Sequence, residues 1–348
     1  MLYLSITFDY ELFFGDNYGS YDEVLFSPTY GLIDFLKKRD VSATFFADVC
    51  SVPVSIKYGQ HSYSDGFKKQ IIYLLKNGQD VQLHLHPHWF GSKYEDDKWS
   101  FSADGYRLGE YDSEQIESIV SDGVKYLNDT LNPVDGKYSC IAYRAGGFSI
   151  QPQEQIIKAL YNNGIRIDSS IAPGLYADTG ALYYDYRHKL SEINWHVSCN
   201  SQWWEDDNAE ISLLEIPVAT IDKSPVAFAV KRLFQPSKLF MNLGATRGSF
   251  IPGKSIDNSL LKKIYRNLYG VNAISMDTFS ADYLFYQVKR LQKKVRENDA
   301  FVALIGHPKL VNDIYISNLS KFIEMVNTVD DVEFVSIKDA YLKMCIKD

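Results

Sequence analysis

The sequence has few cysteines, and none of them form a close pair. Cys50, Cys140, Cys199 and Cys345 are the only four among 348 residues, and they make no C-x-x-C motif. This spacing disfavours both a disulfide framework and a zinc site built from thiolates. We therefore interpret the four thiols as small buried side chains, which is the usual state of free cysteine.

Positively charged residues are also fewer than negatively charged ones. The 36 lysines and arginines are outnumbered by 44 aspartates and glutamates, which gives a formal net charge of -8. A chain with this balance is poorly suited to hold nucleic acid through bulk charge. We expect no nucleic-acid partner.

Long apolar runs, internal repeats and low-complexity tracts are missing as well. The segment from Met1 to Asp9 carries no lysine or arginine before a short apolar stretch, so it resembles neither a signal peptide nor a membrane anchor. We expect a cytoplasmic protein without membrane insertion. The motifs G-x-S-x-G and G-x-x-x-x-G-K-(S/T) do not occur, which disfavours a serine hydrolase and a P-loop nucleotide site.

Short apolar runs typical of strands alternate with segments of helical spacing. The predicted strands are Leu2–Phe8, Ser42–Phe46, Val81–His84, Ser139–Tyr143 and Phe301–Ile305. The predicted helices are Leu32–Lys38, Phe67–Leu75, Ser113–Leu131, Glu154–Tyr161, Ala281–Val295 and Ile314–Val326. This alternation predicts an α/β fold with a parallel sheet, either open or closed into a barrel. In both cases chemistry belongs at the carboxyl ends of the strands.

The region from about 173 to 254 is the least regular part of the sequence. It is rich in aromatic residues and holds one clear strand prediction, Leu213–Ala219. We interpret residues 1–348 as a single domain in which this region is an insertion lying over the strand ends. Trp203 and Trp204 within it are either a stacking platform for sugar rings or ordinary packing residues.

Three of the seven histidines lie within five residues, directly after a predicted strand. The segment reads Asp80-Val-Gln-Leu-His84-Leu-His86-Pro-His88. If the strand stops before the proline, a turn lets His84 and His88 converge as neutral imidazole ligands of a metal. If the strand runs on through His86, its period of two points His84 and His86 the same way, so His86 is the reserve ligand.

The first predicted strand ends in two carboxylates. Asp9 and Glu11 lie one residue apart and point to the same side of an extended segment. One carboxylate can complete a site of two histidines and one carboxylate, which leaves a position on the metal for water. The other can act as a base that is held off the metal.

Three further polar residues follow predicted strands or turns. Arg144 stands before two glycines in Tyr-Arg-Ala-Gly-Gly-Phe, Asp168 begins Asp-Ser-Ser, and His307 ends an apolar run and precedes a proline. Each signal is weak alone, but together with the carboxylates and histidines they make five strand-end motifs in chain order.

These motifs resemble those of the polysaccharide deacetylase superfamily, also called the NodB homology family or carbohydrate esterase family four. The resemblance runs from Thr7 to His307. It implies a distorted (β/α) barrel, one divalent metal ion, most simply Zn²⁺, and removal of an acetyl group from an N-acetylated or O-acetylated sugar. The resemblance also implies the following roles: base Asp9, metal ligands Glu11, His84 and His88, Arg144 orienting the base, oxyanion donor Gly147, Asp168 tuning the acid, and catalytic acid His307.

The match departs from the family pattern at the first motif, where Tyr10 separates two carboxylates that are usually adjacent. The roles of Asp9 and Glu11 could therefore be exchanged. The expected substrate is an acetylated sugar or glycan precursor of surface-polysaccharide metabolism. Two alternatives remain: a carbon–nitrogen hydrolase that acts on a small amide, as allantoinase-like proteins do, and a non-catalytic carbohydrate-binding barrel.

Overall fold

The computed structural model describes residues 1–12, 20–188, 194–199, 209–223, 233, 270–295 and 299–345. Within these residues, none of the helices combines the length and the apolar character needed to cross a membrane. The predicted sugar-stacking residues Trp203 and Trp204 lie outside the described residues.

The described secondary structure alternates strands and helices for most of the chain. The strands are β1 Leu2–Tyr10, β2 Thr44–Asp48, β3 Asp80–Leu85, β4 Lys93–Glu95, β5 Lys98–Ser100, β6 Ala142–Ala145, β7 Ile167–Asp168, β8 Tyr176–Asp178, β9 Tyr183–Asp185, β10 Trp195–Ser198, β11 Ser212–Glu215, β12 Thr220–Asp222, β13 Val271–Ala273, β14 Ala300–Gly306 and β15 Val332–Phe334. The helices are α1 Ser27–Lys38, α2 Ser51–Lys57, α3 His61–Lys76, α4 Ser113–Leu131, α5 Gln153–Asn162, α6 Ala281–Lys294, α7 Asp313–Val326 and α8 Ile337–Cys345.

The central sheet has the order β10-β11-β7-β6-β3-β2-β1-β14, and β15 pairs with the start of β1. Every pair along this path is parallel except β10 with β11. The chain after β11 then reaches β14, because Ala219 N donates to Ala303 O and Ala303 N donates to Pro217 O, both at 2.9 Å. These bonds close the curled sheet into a distorted barrel, so the predicted fold class is confirmed.

Strands β1 and β14 are neighbours and are the two longest strands in the described part of the barrel. All nine residues of β1 and all seven of β14 are buried, as expected for parallel strands that are covered on both faces. Helix α4 begins with a capping box in which Asp112 and Gln115 satisfy each other's backbone N–H groups. Its apolar face packs toward β3, which fixes the strand that carries the histidine motif.

The described part of the irregular region is not entirely an insertion. Strands β10 and β11 belong to the central sheet, and the segment that leaves β11 helps to close it. The hairpin of β8 and β9 does lie at the strand ends, since Ser149 Oγ donates to Tyr183 O. That the whole chain is one domain with an insertion stays a prediction.

Candidate metal centre and active site

Strand β1 delivers both carboxylates to one end of the barrel. Asp9 is the penultimate residue of β1, Glu11 follows the strand, and both are buried. The carboxyl ends of β3, β6 and β14 lie at the same edge because these strands run parallel to β1. The strand-end polar residues therefore meet in one cluster.

Glu11, His84 and His86 form the tightest group in this cluster. Glu11 Oε2 lies 2.5 Å from His86 Nε2 and 3.3 Å from His84 Nε2. One ligand atom from each of the three residues lies within 4.8 Å of the others, and all three residues are buried. Two imidazoles and one carboxylate are the donor set of a zinc site with an open position.

His88 lies outside this group, whereas the reserve residue His86 lies inside it, so the geometry favours His86 as the second histidine ligand and the ligand set stays a prediction. His86 has an extended backbone, with φ −120° and ψ 80°, because the residue before a proline is driven away from the helical region. The alternation of β3 therefore continues through His86 and points it the same way as His84.

The turn at Pro87–Gly91 carries His88 away into an aromatic cluster. The His88 ring stacks on Tyr106 with 5.3 Å between centroids and also contacts Trp89 and Phe101. Burial, reinforced by the neighbouring His86, holds the pKa of His88 well below its usual value. A neutral His88 in this position packs as part of the wall beside the site.

The backbone sets the tautomer of His84. His84 Nδ1 lies 2.7 Å from the carbonyl oxygen of Arg144, which can only accept a hydrogen bond, so Nδ1 is the donor. In the neutral ring this leaves the lone pair on Nε2, the atom that faces Glu11. The residues present thus fit a divalent metal ion in both donor type and orientation.

The charges around the two carboxylates keep both of them ionised. Burial by itself raises the pKa of Glu11, but Lys309 and His86 outweigh it and hold that pKa well below its usual value. Burial likewise opposes ionisation of Asp9, yet Arg144 and His84 lower its pKa. A metal ligand and a general base both need the carboxylate form.

Arg144 is fully buried and anchors Asp9. Its Nη1 donates to Asp9 Oδ1 at 2.8 Å and to Thr7 Oγ1 at 2.7 Å, while its Nε donates to Ser169 O. The guanidinium also lies over the Phe46 ring, 4.3 Å from its centroid. Asp9 is therefore bound to a fixed cation, and Glu11 is the carboxylate that faces the histidines, which favours the original assignment of their roles over an exchange.

His307 faces both carboxylates from the end of β14. Its Nε2 lies 3.9 Å from Asp9 Oδ2 and 3.6 Å from Glu11 Oε1. Its Nδ1 is 2.7 Å from Asp277 Oδ2, and its backbone N–H donates to Asp277 Oδ1 at 3.0 Å. Burial by itself lowers the pKa of His307, but Asp277 more than offsets this, so the pKa is raised.

The carboxylate beside His307 is thus Asp277, which corrects the expectation that Asp168 fills this role. Asp168 instead accepts a hydrogen bond from Ser170 Oγ at 2.5 Å, and Ser170 Oγ in turn accepts the Ala145 N–H. The buried Glu215 is the residue opposite Asp168 on β11, and its Oε1 accepts a hydrogen bond from Ile171 N at 3.0 Å. Through Ser170, Asp168 therefore supports the backbone at the end of β6, next to Arg144.

The pair of Asp168 and Glu215 predicts a pH effect on stability. Burial raises the pKa of Asp168 to about 6, and burial together with the Asp168 charge raises that of Glu215 well above its usual value. A carboxyl group whose pKa is higher in the folded than in the unfolded state stabilises the fold in its protonated form. This contribution is complete below the unfolded-state pKa of about 4, and it is lost as the pH rises through 6. Glu215→Gln should reduce the loss in unfolding free energy between pH 5 and 8, as measured by urea unfolding at a series of pH values.

Surface Glu333→Gln is the matched control, because Glu333 is an exposed partner of Lys343. Its stability curve should run parallel to that of the wild type. If the Glu215→Gln curve were parallel as well, the pKa of Glu215 would not be raised by folding.

Gly146 provides the space that His86 needs. A Cβ at Gly146 would lie 2.6 Å from His86 Nδ1 and 2.7 Å from the Leu85 carbonyl oxygen, and that backbone cannot move freely inside the sheet. Gly147 has φ +58°, and a Cβ there would meet Leu182 and Tyr106. The role of Gly147 as an oxyanion donor stays a prediction.

Gly146→Ala should displace the His86 ring and weaken Zn²⁺ binding by about tenfold or more, the usual effect of disturbing the support of a ligand. Equilibrium titration with a competing indicator measures this. Gly31→Ala is the control, since its added methyl group on an exposed turn of α1 meets nothing within 4 Å. Unchanged affinity in Gly146→Ala would remove His86 from the ligand set.

Three residues of the candidate site were not identified from the sequence. Asp48 ends β2 and accepts hydrogen bonds from the His86 N–H at 3.2 Å and from Trp89 Nε1 at 2.7 Å. Asp277 and Lys309 complete the set. Only Asp48, a charged residue at the end of the apolar run Thr-Phe-Phe-Ala, carried a strand-end signal that could have been used.

Comparison with solved structures places this fold in a known class. The chain is similar to a Mycobacterium smegmatis protein described provisionally as a polysaccharide deacetylase, with a TM-score of 0.51 and 14% identity over 99% of this chain and 91% of that one. The chain therefore has the fold of the polysaccharide deacetylases, and the fold that the five motifs implied is confirmed.

Two further solved structures have TM-scores of 0.49. An allantoinase shares 11% identity over 97% of this chain and 88% of its own, and a Pseudomonas aeruginosa PAO1 protein described provisionally as a polysaccharide deacetylase shares 12% over 97% and 89%. No family model and no curated protein matches the sequence.

Proposed function

We propose that this protein is a metal-dependent hydrolase that removes an acetyl group from an N-acetylated or O-acetylated sugar. The observation that carries the proposal is the convergence of Glu11, His84 and His86 with Asp9 and His307 at one end of the barrel. This cluster combines a metal donor set, a base and an acid in one place. The fold of the polysaccharide deacetylases supports the reaction class.

Glu11, His84 and His86 would hold the metal ion, with Zn²⁺ the simplest choice for this donor set. A divalent ion there supplies Lewis acidity that activates water and polarises the acetyl carbonyl.

Asp9 would accept the proton of the attacking water. Its Oδ1 is occupied by Arg144 Nη1, so Oδ2 is the oxygen left to act as the base. Arg144 keeps this carboxylate ionised and prevents it from rotating toward the histidines. Asp9 is therefore positioned beside the donor set without belonging to it.

His307 would donate a proton from Nε2 to the leaving amine or alcohol. Asp277 holds Nδ1, so the exchangeable proton of the imidazolium that points into the site is the one on Nε2. His307 Nε2 lies 3.9 Å from Asp9 Oδ2, which is too far for a direct hydrogen bond. The proposed acid and the proposed base are therefore close together without being bonded to each other.

The test is acetate release by protein purified without chelator, on a panel of N-acetylated and O-acetylated sugars. We expect metal-dependent release, and Asp9→Asn should keep the metal and lose turnover. Loss of metal in Asp9→Asn with retention in Glu11→Gln would exchange their roles. Hydrolysis of small cyclic amides without acetate release would favour the other carbon–nitrogen hydrolases, and saccharide binding without turnover would favour a non-catalytic barrel.

A further inference from the structure

Lys309 is a buried lysine that reaches into the proposed metal centre. It lies in the short turn Pro308–Leu310 after β14. Its Nζ donates to Glu11 Oε1 at 2.6 Å and to the Leu12 carbonyl at 3.1 Å, and its side chain is 5% exposed. Lysine is among the residues least often buried, so its place beside a carboxylate needs a physical reason.

The two carboxylate oxygens of Glu11 have different partners. Oε1 accepts from Lys309, whereas Oε2 lies at 2.5 Å and 3.3 Å from the Nε2 atoms of His86 and His84. An ammonium held by both Oε1 and the Leu12 carbonyl prevents the carboxylate from turning. Glu11 therefore presents one oxygen, not two, to the histidines.

The lysine also changes the charge of the site. Lys309 and Arg144 pair with Glu11 and Asp9 respectively, so each carboxylate at the end of β1 has its own buried cation. A cation next to a ligand carboxylate repels a divalent ion and competes with it for the negative charge. A site with less negative charge holds the ion less tightly but leaves it a stronger Lewis acid.

We propose that Lys309 is a positioning residue that fixes Glu11 for binding through Oε2 alone and lowers the affinity of the site for a divalent cation in favour of its electrophilicity. The inference rests on the proposed function, because it assumes that the site takes a metal ion. It predicts that removing the lysine charge tightens metal binding while reducing turnover, a combination that a purely structural lysine would not produce.

Titration of the purified, metal-stripped protein with Zn²⁺ against a competing indicator tests this inference. Lys309→Met should bind Zn²⁺ about tenfold more tightly than the wild type, because a unit of positive charge has left the site. At saturating Zn²⁺ its kcat for acetate release should fall about tenfold or more with little change in KM. Lys321→Met, which removes a surface lysine paired with Asp282, should change neither value.

Lys309→Gln is the second variant, to be used if Lys309→Met fails to fold, because glutamine keeps a hydrogen-bond donor without the charge. It should also bind Zn²⁺ more tightly than the wild type. Equal or weaker binding in the folded variant, with a wild type that binds Zn²⁺, overturns this inference and leaves the proposed function standing. A wild type that binds neither Zn²⁺ nor Co²⁺ nor Mn²⁺ would refute the metal centre, and the inference with it.

Discussion

Replacing His84 or His86 by alanine should abolish stoichiometric metal binding, whereas His88→Ala should retain it. The expectation follows from the Nε2 atoms of His84 and His86, which both face Glu11 Oε2, while His88 stacks on Tyr106 outside that group. Removing one of three protein ligands removes a strong donor that the remaining two cannot replace. Elemental analysis of protein purified without chelator measures the effect.

His88→Ala serves as the matched control, since it removes an imidazole two residues away in the same motif. It should lower stability, by roughly 2 kcal/mol or more, because it leaves a cavity among Trp89, Phe101 and Tyr106. Metal loss in His88→Ala together with full retention in His86→Ala would restore the ligand set that the sequence first suggested.

The sequence was sufficient to predict the helices and strands whose apolar residues are regularly spaced. Helix α4 was predicted at Ser113–Leu131 and occurs there, because its apolar spacing is regular and Asp112 caps its start. Strands β1 and β14 were found from apolar runs, and they extend one or two residues beyond the predicted ends. Helices α2 and α8 were missed, because both are short and lack a long apolar repeat.

The choice between His86 and His88 depended on one backbone conformation. The pairing of His84 with His88 requires the chain to turn directly after His84, with Pro87 ending the strand. The structure keeps His86 extended and starts the turn at Pro87, because proline restricts the residue before it to extended values. The position at which the turn begins therefore decides whether His86 or His88 is the candidate ligand.

Asp277 could not be found from local sequence. It follows Ile274 and Met276, which hydrogen-bond to Ile305 and therefore lie beside β14. No local sequence pattern predicts this pairing. The burial of Lys309 likewise depends on the distance between β1 and β14 in the folded barrel. Both residues reach the site through contacts that are distant in sequence, which strand and helix periodicity does not encode.

His307→Ala should abolish hydrolysis of N-acetylated sugars and spare activated acetate esters. An amine leaves only when it is protonated, so loss of the general acid costs roughly 10²- to 10⁴-fold on an amide. An activated ester with an acidic leaving group needs little protonation. The ratio of kcat/KM values for the two substrate types should therefore fall steeply in His307→Ala, and equal losses on both would assign His307 to binding or structure.

Asp277→Asn tests whether Asp277 raises the pKa of the proposed general acid, His307. Asp277 raises the pKa of His307 by favouring its charged form, and activity that requires a protonated His307 falls as the pH rises through that raised pKa. Removing the charge should move this fall to lower pH and reduce kcat on amides by roughly tenfold, whereas KM should change little because Asp277 lies behind His307 and contacts its Nδ1. Asp168→Asn is the matched control, since Asp168 accepts a hydrogen bond from Ser170 and does not contact His307, and it should leave the alkaline fall in place. If Asp168→Asn moved the fall and Asp277→Asn did not, the acid would be tuned as the sequence motif first implied, and the contact between His307 and Asp277 would serve only to fold the loop.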